Sequence, residues 1–381
     1  FCFSFFIVLV QGDIFAAIKH KYSQNHQPTN NANNNHPFVV HEISSRELEE
    51  IRQDLKGGKL NVNDAMKKCP GRWLEINDTL FDAAVKHFDI KLQNDTDKYL
   101  KAQKFMENIA RAQNLTKEIP SAFFGVTNFS FMDLDEFKNN YLMKPISIKD
   151  IPKLNTTPIV SLISRTKRAA KSVDLRKNAV NPIKNQGTCG CCWAFTTVST
   201  METAYYKKKG KLIDLSEQQF VNCDTQNAAC SGGWMSTAYN YAQTSGIPLE
   251  SANIYQAMKG TCTNATGQMV NVANYTQLNS NDITRIMNAL NQGYSVGIAM
   301  KSGTYPFMYY RSGILSNSND CTDDTVDHAV VIVGYGTQNG TDYWIVRNHW
   351  STLWGEEGYV RIKRGINYCN MELYPFFVDV V

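Results

Sequence analysis

The chain has 381 residues, of which 43% are hydrophobic and 19% charged, so it is long enough for two or three compact units with large buried cores. The formal net charge is only +4 at pH 7. The one tight basic cluster, residues 207–211, is predicted to be a solvated helix end rather than an anion-binding or nucleic-acid patch. We therefore expect no nucleic-acid partner.

Residues 1–10 are apolar, too short to span a bilayer, and followed at once by polar sequence. We interpret residues 1–12 as the remnant of a secretory signal peptide, with a buried core strand as the alternative, and expect no membrane span. Ten cysteines fit the secretory pathway, and so do eight Asn-x-Ser/Thr sequons. The predicted location is lysosomal or extracellular. The sequons begin at Asn77, Asn94, Asn114, Asn128, Asn155, Asn264, Asn274 and Asn339.

Residues 13–79 form a predicted N-terminal extension that is partly disordered. Its Asn- and His-rich tract, residues 25–36, has nothing to bury and is interpreted as a disordered linker, with a histidine metal tract as the alternative. The stretch from about residue 39 to residue 78, with its lone Cys69, carries no motif that indicates a structure or a role.

A helical pattern follows and predicts a helical domain over residues 80–140. Within it, Tyr99, Phe105 and Ile109 recur with charged residues between them. The next segment, residues 141–168, is a predicted linker that ends in the run 165–168, Arg-Thr-Lys-Arg. That run is a candidate cut site for a basic-specific convertase, and a solvated charge run is the alternative.

The run 186–195 places the thiol of Cys192 at a turn into an apolar stretch, six residues after the amide of Gln186. Apolar residues after Cys192 recur at helical spacing and predict a buried helix that begins at the thiol. This pattern indicates a nucleophile beside an oxyanion donor. The alternative is a zinc cluster drawn from five cysteines: Cys189, Cys191, Cys192, Cys223 and Cys230.

Two downstream segments favour the nucleophile. His328 opens a β-branched run, and Asn348 closes another such run just before Trp350. A cysteine, a histidine and an amide that are distant in sequence are the residue types of a thiol peptidase site.

Together these segments resemble the papain family of cysteine peptidases, from about Val173 to the end of the chain. The run 355–359 and the cysteine spacing also occur in the family's order. The resemblance implies an α+β, papain-like two-lobe fold over residues 169–381, in which a helical lobe and a β-barrel-like lobe flank the active cleft. The helical stretch before it resembles the family's inhibitory propeptide.

The resemblance also implies the catalytic roles. Cys192 would be the nucleophilic thiolate, because a helix N-terminus and a histidine both stabilise a thiolate that otherwise titrates near about 8.5. His328 would be its imidazolium partner and the general acid, and Asn348 would hold the imidazole. Gln186 and the backbone N–H of Cys192 would form the oxyanion hole. Trp350 would cover the contact between His328 and Asn348.

Further site residues are implied in the same way. The substrate-binding residues would be Gly232, Gly233, Trp234, Met235, Gly297, Val326, Asp327, Trp350 and Trp354. Trp234, Met235, Gly297 and Val326 would line an apolar specificity pocket, although Trp234 and Met235 could be plain core residues. The implied disulfides are Cys189–Cys230, Cys223–Cys262 and Cys321–Cys369, with Cys191 unpaired where Ser or Ala is usual.

The chain departs from the family in several places. The family's interrupted propeptide pattern is only partly present. Its Glu, Arg, Phe and Asn positions hold Asp97, Lys101, Phe105 and Asn108, and Ala112 and Thr116 break the remainder. Phe131 stands where an Asp is usual in the second propeptide motif. His349 replaces a Ser or Thr, Leu175 replaces a Trp, and Ser351 and Leu353 replace glycines.

These observations predict a cysteine endopeptidase zymogen, blocked by its own propeptide and selective for an apolar second residue before the scissile bond. Its expected partners are protein and peptide substrates and cystatin-type inhibitors. We expect a monomer that needs no cofactor and no metal. The alternative is a catalytically weak or inactive homologue that acts as a binding protein.

Overall fold

The computed structural model describes residues 43–69, 72–151, 170–263, 267–317 and 319–381. The predicted signal remnant, the Asn- and His-rich tract and the basic cut site lie outside these ranges. The chain divides into two compact units. One holds the chain up to Asn114 together with Asn128–Met132, and the other holds Leu115–Thr127 and Asp133–Val381. Within the described ranges, no helix is both long and apolar enough to cross a membrane.

The first unit is helical, including the stretch that carried no motif. Its helices are Ser45–Lys56, Val62–Lys68, Asn77–His87 and most of Asp95–Glu118. The first helix begins at a capping box, in which Ser44 and Glu47 satisfy each other's backbone N–H groups. Its buried residues, Leu48, Ile51 and Leu55, follow helical spacing.

The core of this unit explains part of the propeptide pattern. Phe105 is buried and its ring stacks on that of Phe131, with 5.1 Å between the ring centroids. Phe131, which stands where a carboxylate is usual, is therefore a core residue. The Asn108 side chain donates to the carbonyl oxygens of Ser130 (3.0 Å) and Met132 (2.8 Å). Tyr99 does not join this core, because it is 38% exposed.

The second unit combines a large sheet with a helical lobe. Its strands are β1 (Ala122–Phe124), β2 (Ile146–Ser147), β3 (Val173–Asp174), β4 (Ile247–Pro248), β5 (Met269–Val270), β6 (Val272–Gln277), β7 (Val296–Met300), β8 (Tyr310–Leu315), β9 (Thr325–Val326), β10 (His328–Gln338), β11 (Thr341–Arg347), β12 (Tyr359–Lys363) and β13 (Phe376–Val380). Its helices are Leu134–Tyr141, Cys192–Lys209, Glu217–Cys223, Met235–Ser245, Ile283–Asn291 and Tyr305–Tyr309. The helix predicted at Cys192 is confirmed, and the two β-branched runs, one opened by His328 and one closed by Asn348, form strands β10 and β11.

The strand order of the large sheet is β1-β8-β12-β11-β10-β7-β13-β6, and β3 also pairs with β10. Its pairs are antiparallel except for β8 and β12, which run parallel. Two short pairs, β2 with β9 and β4 with β5, lie outside it. The mixed α+β class predicted from the sequence is therefore confirmed.

The register of the sheet brings the distant histidine and asparagine together. Val331 of β10 pairs with Arg347 of β11. Because the two strands are antiparallel, the start of β10 at His328 and the residue after β11, Asn348, lie at the same end of the sheet.

The Cys192 helix is the centre of the helical lobe. All residues from Cys192 to Ala204 are buried, and the helix ends at Gly210, which adopts a left-handed conformation with φ 67°. Thr197, Thr200 and Thr203 lie inside it, and their hydroxyls donate to backbone carbonyls of the same helix. A buried helix of this kind holds its N-terminus in a fixed position, and that N-terminus is Cys192.

Candidate active site

The Cys192 thiol lies at the first residue of the buried helix, where backbone N–H groups have no helical partner. Burial raises the pKa of this thiol to about 12, and the N–H groups of Ala329, Trp193 and Cys192 itself act in the opposite direction. The interaction with Ala329, the residue after His328, places the thiol beside the start of β10.

His328 and Asn348 form the second part of the site. His328 Nε2 lies 2.9 Å from Asn348 Oδ1, and both residues are fully buried. An amide oxygen only accepts, so Nε2 carries the proton of the neutral ring and Nδ1 is the basic nitrogen. Nδ1 is buried and has no hydrogen-bond partner among the described residues. Burial lowers the pKa of His328 to about 4, and the contact with Asn348 raises it in part.

Aromatic rings cover this pair. The Trp350 ring stacks on His328 at 4.6 Å between centroids, with an interplanar angle of 25°. Trp354 lies behind Trp350 at 5.3 Å, and its indole N–H donates to the Phe307 carbonyl. Trp350 is thus placed to shield the bond between His328 and Asn348 from water, whereas Trp354 supports Trp350 from the far side.

Gln186 faces the same region and is fully buried. Its side-chain Nε2 donates to the carbonyl oxygens of Cys189 (2.8 Å) and Tyr141 (3.0 Å). Its backbone N–H donates to the His349 carbonyl at 2.9 Å, which links the cysteine side of the site to the histidine side.

The backbone at Gly232 and Gly233, which forms the wall of the cleft beside Cys192, requires glycine. A Cβ on Gly233 would lie 2.6 Å from the Trp193 ring, and Gly232 has φ 123°, a conformation that side chains rarely adopt. The disulfide Cys189–Cys230 holds this wall next to the Cys192 helix.

The residues of the proposed pocket lie together. Trp234, Met235 and Val326 belong to one buried apolar cluster, and a Cβ on Gly297 would lie 3.2 Å from Met235 Sδ. Sequence reasoning pointed to the region of Leu373 and Tyr374 for the pocket floor but left the floor open. In the structure Tyr374 belongs to the same cluster, and its ring meets Trp234 edge-on at 5.6 Å. Ala329 is also in this cluster and was missed, although its place after His328 was a usable signal.

Asp327 contributes to the site mainly through its backbone. Its carboxylate is buried and accepts the N–H groups of Ser302 (2.6 Å) and Gly303 (3.1 Å). Its carbonyl accepts the N–H of Met143 at 3.0 Å. The side chain therefore supports the loop at Ser302 and Gly303, while the backbone oxygen faces the cleft side and binds the chain at Met143.

A segment of residues 142–151 crosses the cleft, and we call it the strap. It includes the short strand β2 and ends in a 3-10 helix at Ile148–Asp150. On one side the Lys144 N–H donates to Ser231 O at 3.3 Å, and on the other the Met143 N–H donates to Asp327 O. Further along, Ile146 of the strap pairs with Val326 in the short β2–β9 sheet. The predicted linker from residue 141 therefore begins with a firmly packed segment, and Met143 is only 2% exposed.

The strap and the helix before it cover both parts of the site. A Cβ on Gly190 would lie 2.7 Å from the Leu142 carbonyl, so the strap approaches the backbone before Cys192 closely. Phe137 packs edge-on against Trp350 at 5.3 Å. With the strap in place, burial raises the pKa of Cys192 and lowers the pKa of His328, so the thiol and the imidazole are both neutral at pH 7.

The cysteines form three disulfides in the described part of the chain: Cys189–Cys230, Cys223–Cys262 and Cys321–Cys369. Three of the five cysteines in the zinc alternative are consumed by these bonds, which leaves only the thiols of Cys191 and Cys192. No group of potential ligands in the described ranges is arranged to hold a metal ion. The zinc interpretation is therefore wrong.

This two-lobe fold, with a thiol, an imidazole and an amide in one cleft, is that of a cysteine-type peptidase. A family model described as papain family cysteine protease matches residues 169–378. The chain belongs to the papain family of cysteine proteases.

Curated relatives extend the match into the prosegment. A senescence-specific cysteine protease of Arabidopsis thaliana is 38% identical over 274 residues, which cover 69% of this chain and 77% of the relative. Chymopapain of Carica papaya is 35% identical over 299 residues, which cover 75% of this chain and 80% of chymopapain.

Solved proenzymes share the fold. The proform of the Amb a 11 cysteine protease, a ragweed pollen allergen, gives a TM-score of 0.70 at 26% identity and covers 80% of this chain and 95% of its own. A digestive procathepsin L2 of Tenebrio molitor gives 0.71 at 27% identity, with 80% and 99% coverage. The chain is accordingly a papain-family protease in its zymogen form, with an intramolecular propeptide.

Proposed function

We propose that this zymogen matures to a cysteine endopeptidase that hydrolyses peptide bonds with a Cys192 thiolate and a His328 imidazolium. The observation that carries the proposal is the contact between His328 Nε2 and Asn348 Oδ1. It makes Nδ1 the basic nitrogen of a buried ring, and the Cys192 helix packs against β10, the strand that begins at His328. All four residue types that the chemistry needs are present, which disfavours an inactive homologue that acts as a binding protein.

In the reaction, His328 takes the thiol proton and Cys192 attacks the carbonyl carbon of the substrate. The oxygen that becomes negative is stabilised by Gln186 Nε2 and the backbone N–H of Cys192. His328 then protonates the leaving amine, and an acyl-enzyme remains on Cys192. Water attacks this thioester with His328 as the general base, which releases the acid and restores the thiol.

The strap supports a latent precursor. The Gln186 amide, the proposed oxyanion donor, already donates to a prosegment carbonyl at Tyr141. The backbone positions at Ser231 and Asp327, which could bind an extended substrate, are bonded to Lys144 and Met143. A substrate therefore has to displace the strap, so cleavage within the linker that follows it is the proposed activating event.

The pocket supports selectivity for an apolar P2 residue, the second residue before the scissile bond. Trp234, Met235, Gly297 and Val326 carry no charge and lie in or against one apolar cluster. Its proposed partners are protein and peptide substrates and, for the open cleft, cystatin-type inhibitors.

A secretory route to a lysosomal or extracellular location fits the disulfides. It also fits the exposed sequon asparagines Asn94, Asn114, Asn274 and Asn339. Asn77 is only 5% exposed and is not available for a glycan in this conformation.

The deciding experiment is labelling of the processed chain with an epoxide inhibitor of thiol peptidases, together with peptide hydrolysis by the Cys192→Ala variant. We expect one label on Cys192 in the unsubstituted protein, and neither label nor turnover in the variant. Cys191→Ala is the matched control, because it removes the neighbouring thiol and should still be labelled. Turnover that survives in Cys192→Ala but is abolished in Cys191→Ala would overturn the nucleophile assignment.

A further inference from the structure

The hydroxyl of Tyr255 lies between the unpaired thiol next to the nucleophile and the backbone of the oxyanion donor. Tyr255 Oη is 2.9 Å from Cys191 Sγ and 2.6 Å from the Gln186 carbonyl oxygen. We propose that Tyr255 and Cys191 are positioning residues, which fix the backbone of Gln186 so that its side-chain amide meets the oxyanion. This inference rests on the proposed function, because it assigns Gln186 its role in the reaction.

The direction of both hydrogen bonds follows from chemistry. A carbonyl oxygen has no proton to give, so the Tyr255 hydroxyl donates to Gln186 O. A phenol has one proton, and therefore it has none left for Cys191. The short contact between Tyr255 Oη and Cys191 Sγ must then use the S–H proton of Cys191. The sequence of donors runs from Cys191 to Tyr255 to Gln186.

Both donors keep their protons. Burial raises the pKa of the Cys191 thiol far above its ordinary value, and burial likewise raises the pKa of Tyr255. Cys191 is fully buried. The two donors therefore stay protonated over the pH range in which a peptidase of this type works.

Tyr255 is itself held in place. Its ring meets Phe195 of the Cys192 helix edge-on at 4.9 Å, and its backbone N–H donates to Glu250 Oε1 at 2.8 Å. A fixed hydroxyl can set the orientation of the Gln186 peptide unit, whereas a mobile one could not.

Apart from its bond to Tyr141 of the prosegment, Gln186 is anchored at three points when this contact is included. Its N–H donates to His349 O, its side chain donates to Cys189 O, and its carbonyl accepts from Tyr255. The first two anchors tie it to the histidine side and to the chain before Cys192. The third controls rotation of the peptide unit that follows Gln186, and its removal should let the amide drift from the oxyanion position.

The test compares two inhibitors of the processed protein. A peptide aldehyde forms a hemithioacetal with the nucleophile, and the resulting oxygen occupies the oxyanion hole. An epoxide alkylates the same thiol by ring opening, which leaves a hydroxyl on the carbon next to the one attacked, so no oxyanion forms on the carbon bonded to sulfur. A residue that positions Gln186 should affect turnover and aldehyde binding but not epoxide alkylation.

We expect Tyr255→Phe, which keeps the ring, to lower kcat by about tenfold with little change in KM, less than the 10²–10³-fold typical of removing an oxyanion donor itself. Aldehyde affinity should fall by a similar factor, and the rate of epoxide alkylation should stay within about twofold of the unsubstituted protein's rate. Cys191→Ala should show a smaller loss of the same kind, because it removes only the remote donor. Cys191→Ser, which restores a hydroxyl donor, should recover part of that loss.

The matched control is Tyr241→Phe, because Tyr241 Oη accepts a hydrogen bond from Gln219 at 3.2 Å in the same lobe. Tyr255→Phe and Tyr241→Phe variants with equal kcat and equal aldehyde affinity would overturn the proposal. A parallel fall in epoxide alkylation would overturn it too, since the effect would then lie at Cys192 rather than at Gln186. In both cases, labelling of Cys192 by the epoxide would still support the proposed function. If the epoxide fails to label the unsubstituted protein, the proposed function and this inference are both wrong.

Discussion

His328 and Asn348 meet because β10 and β11 are antiparallel neighbours, and the 2.9 Å contact between Nε2 and Oδ1 fixes which ring nitrogen can act as a base. Both residues are fully buried in the zymogen. The contact orients the imidazole and selects its tautomer, while the nucleophile is supplied by another element of the fold.

We therefore expect Asn348→Ala to lower kcat by about 10²-fold, within the range of 10²–10⁴ that a positioned acid–base group contributes. Asn348→Asp should keep an acceptor and add a negative charge beside the imidazolium. The pKa of His328 then rises, and the alkaline limb of the plot of kcat/KM against pH moves to higher pH. The measurement is that profile for the processed protein.

Asn240→Ala is a suitable control, because it also removes an amide acceptor, in this case for the hydroxyl of Tyr275. Full activity in Asn348→Ala, or an alkaline limb that moves to lower pH in Asn348→Asp, would contradict the assigned role.

A second prediction concerns the reactivity of the nucleophile before and after activation. With the strap in place, burial raises the pKa of Cys192 to about 12 and lowers that of His328 to about 4. At pH 7 the thiolate is then a minute fraction, since pH lies far below the thiol pKa and above the imidazole pKa. Loss of the strap exposes both groups to water and removes the burial that causes both shifts.

Alkylation by iodoacetamide should therefore be at least about 100-fold slower in the unprocessed chain than in the processed one at pH 7. The rate in the unprocessed chain should rise steadily as the pH becomes alkaline. The rate against pH is measured for both forms, and Cys192→Ser reports the background from the other free cysteines, which include Cys191 and, in the unprocessed chain, Cys69. Equal rates at pH 7 would show that the strap does not control the ionisation of the thiol.

The sequence predicted the parts of the fold that depend on local patterns. Apolar periodicity located the Cys192 helix, and β-branched runs located β10 and β11. The helix Ser45–Lys56 was missed although its signal was present, because Ser44 and Glu47 form a capping box before Leu48, Ile51 and Leu55. In contrast, Tyr99 fits the spacing of a core residue but lies on the exposed side of its helix.

Contacts between distant segments could not be predicted in the same way. The strap was interpreted as linker because its backbone bonds go to Ser231 and Asp327, which no local pattern connects to residues 142–151. The sequence pointed to the region of Leu373 and Tyr374 for the pocket floor, but the contact of Tyr374 with Trp234 depends on the fold. Tyr255 was not singled out, since its hydroxyl partners are fixed by the fold and not by spacing.

A third prediction concerns a buried ionic cluster that supports the Cys192 helix. Lys184 Nζ lies 2.8 Å from Glu217 and 3.6 Å from Glu202, and these carboxylates are 1% and 2% exposed. Burial raises the pKa of Glu217 to about 8, and the charge of Lys184 opposes that shift. Lys184→Met should reduce the free energy of unfolding by about 3–5 kcal/mol at pH 8, because it leaves buried carboxylates without their cation.

The loss should be smaller at pH 5. The pKa of Glu217 is about 8 in the folded state, above its ordinary value of 4.5, so the unfolded chain loses this proton first and stability falls as the pH rises from about 4.5 to 8. Below that window it is protonated and needs the cation less. Urea unfolding at the two pH values measures the difference, with the exposed Lys171→Met as control. A loss that is larger at pH 5 than at pH 8 would contradict this account.

The last prediction concerns the substrate. Glu372 is the acid nearest in sequence to the pocket residue Tyr374, but its carboxylate accepts the Trp344 indole N–H at 2.8 Å and the backbone N–H groups of Gly365 (2.9 Å) and Asn367 (2.8 Å). Glu372 is 1% exposed and its carboxylate oxygens are already bonded to the loop at Gly365 and Asn367, so it cannot also pair with a basic substrate side chain. The pocket should therefore remain apolar.

We expect substrates with Leu or Phe at P2 to exceed the Arg analogue by about tenfold or more in kcat/KM, since burial of one such side chain is worth roughly 1.5–3 kcal/mol. Glu372→Gln should leave this ratio within about twofold of its original value and lower the Tm, because the charge-assisted bonds to the loop are weakened. Met235→Glu is the positive control, since it places a carboxylate among the pocket residues and should move the preference toward Arg. If substrates with Arg at P2 are cleaved as well as or better than those with Leu, and if that cleavage is lost in Glu372→Gln, the carboxylate does reach the pocket.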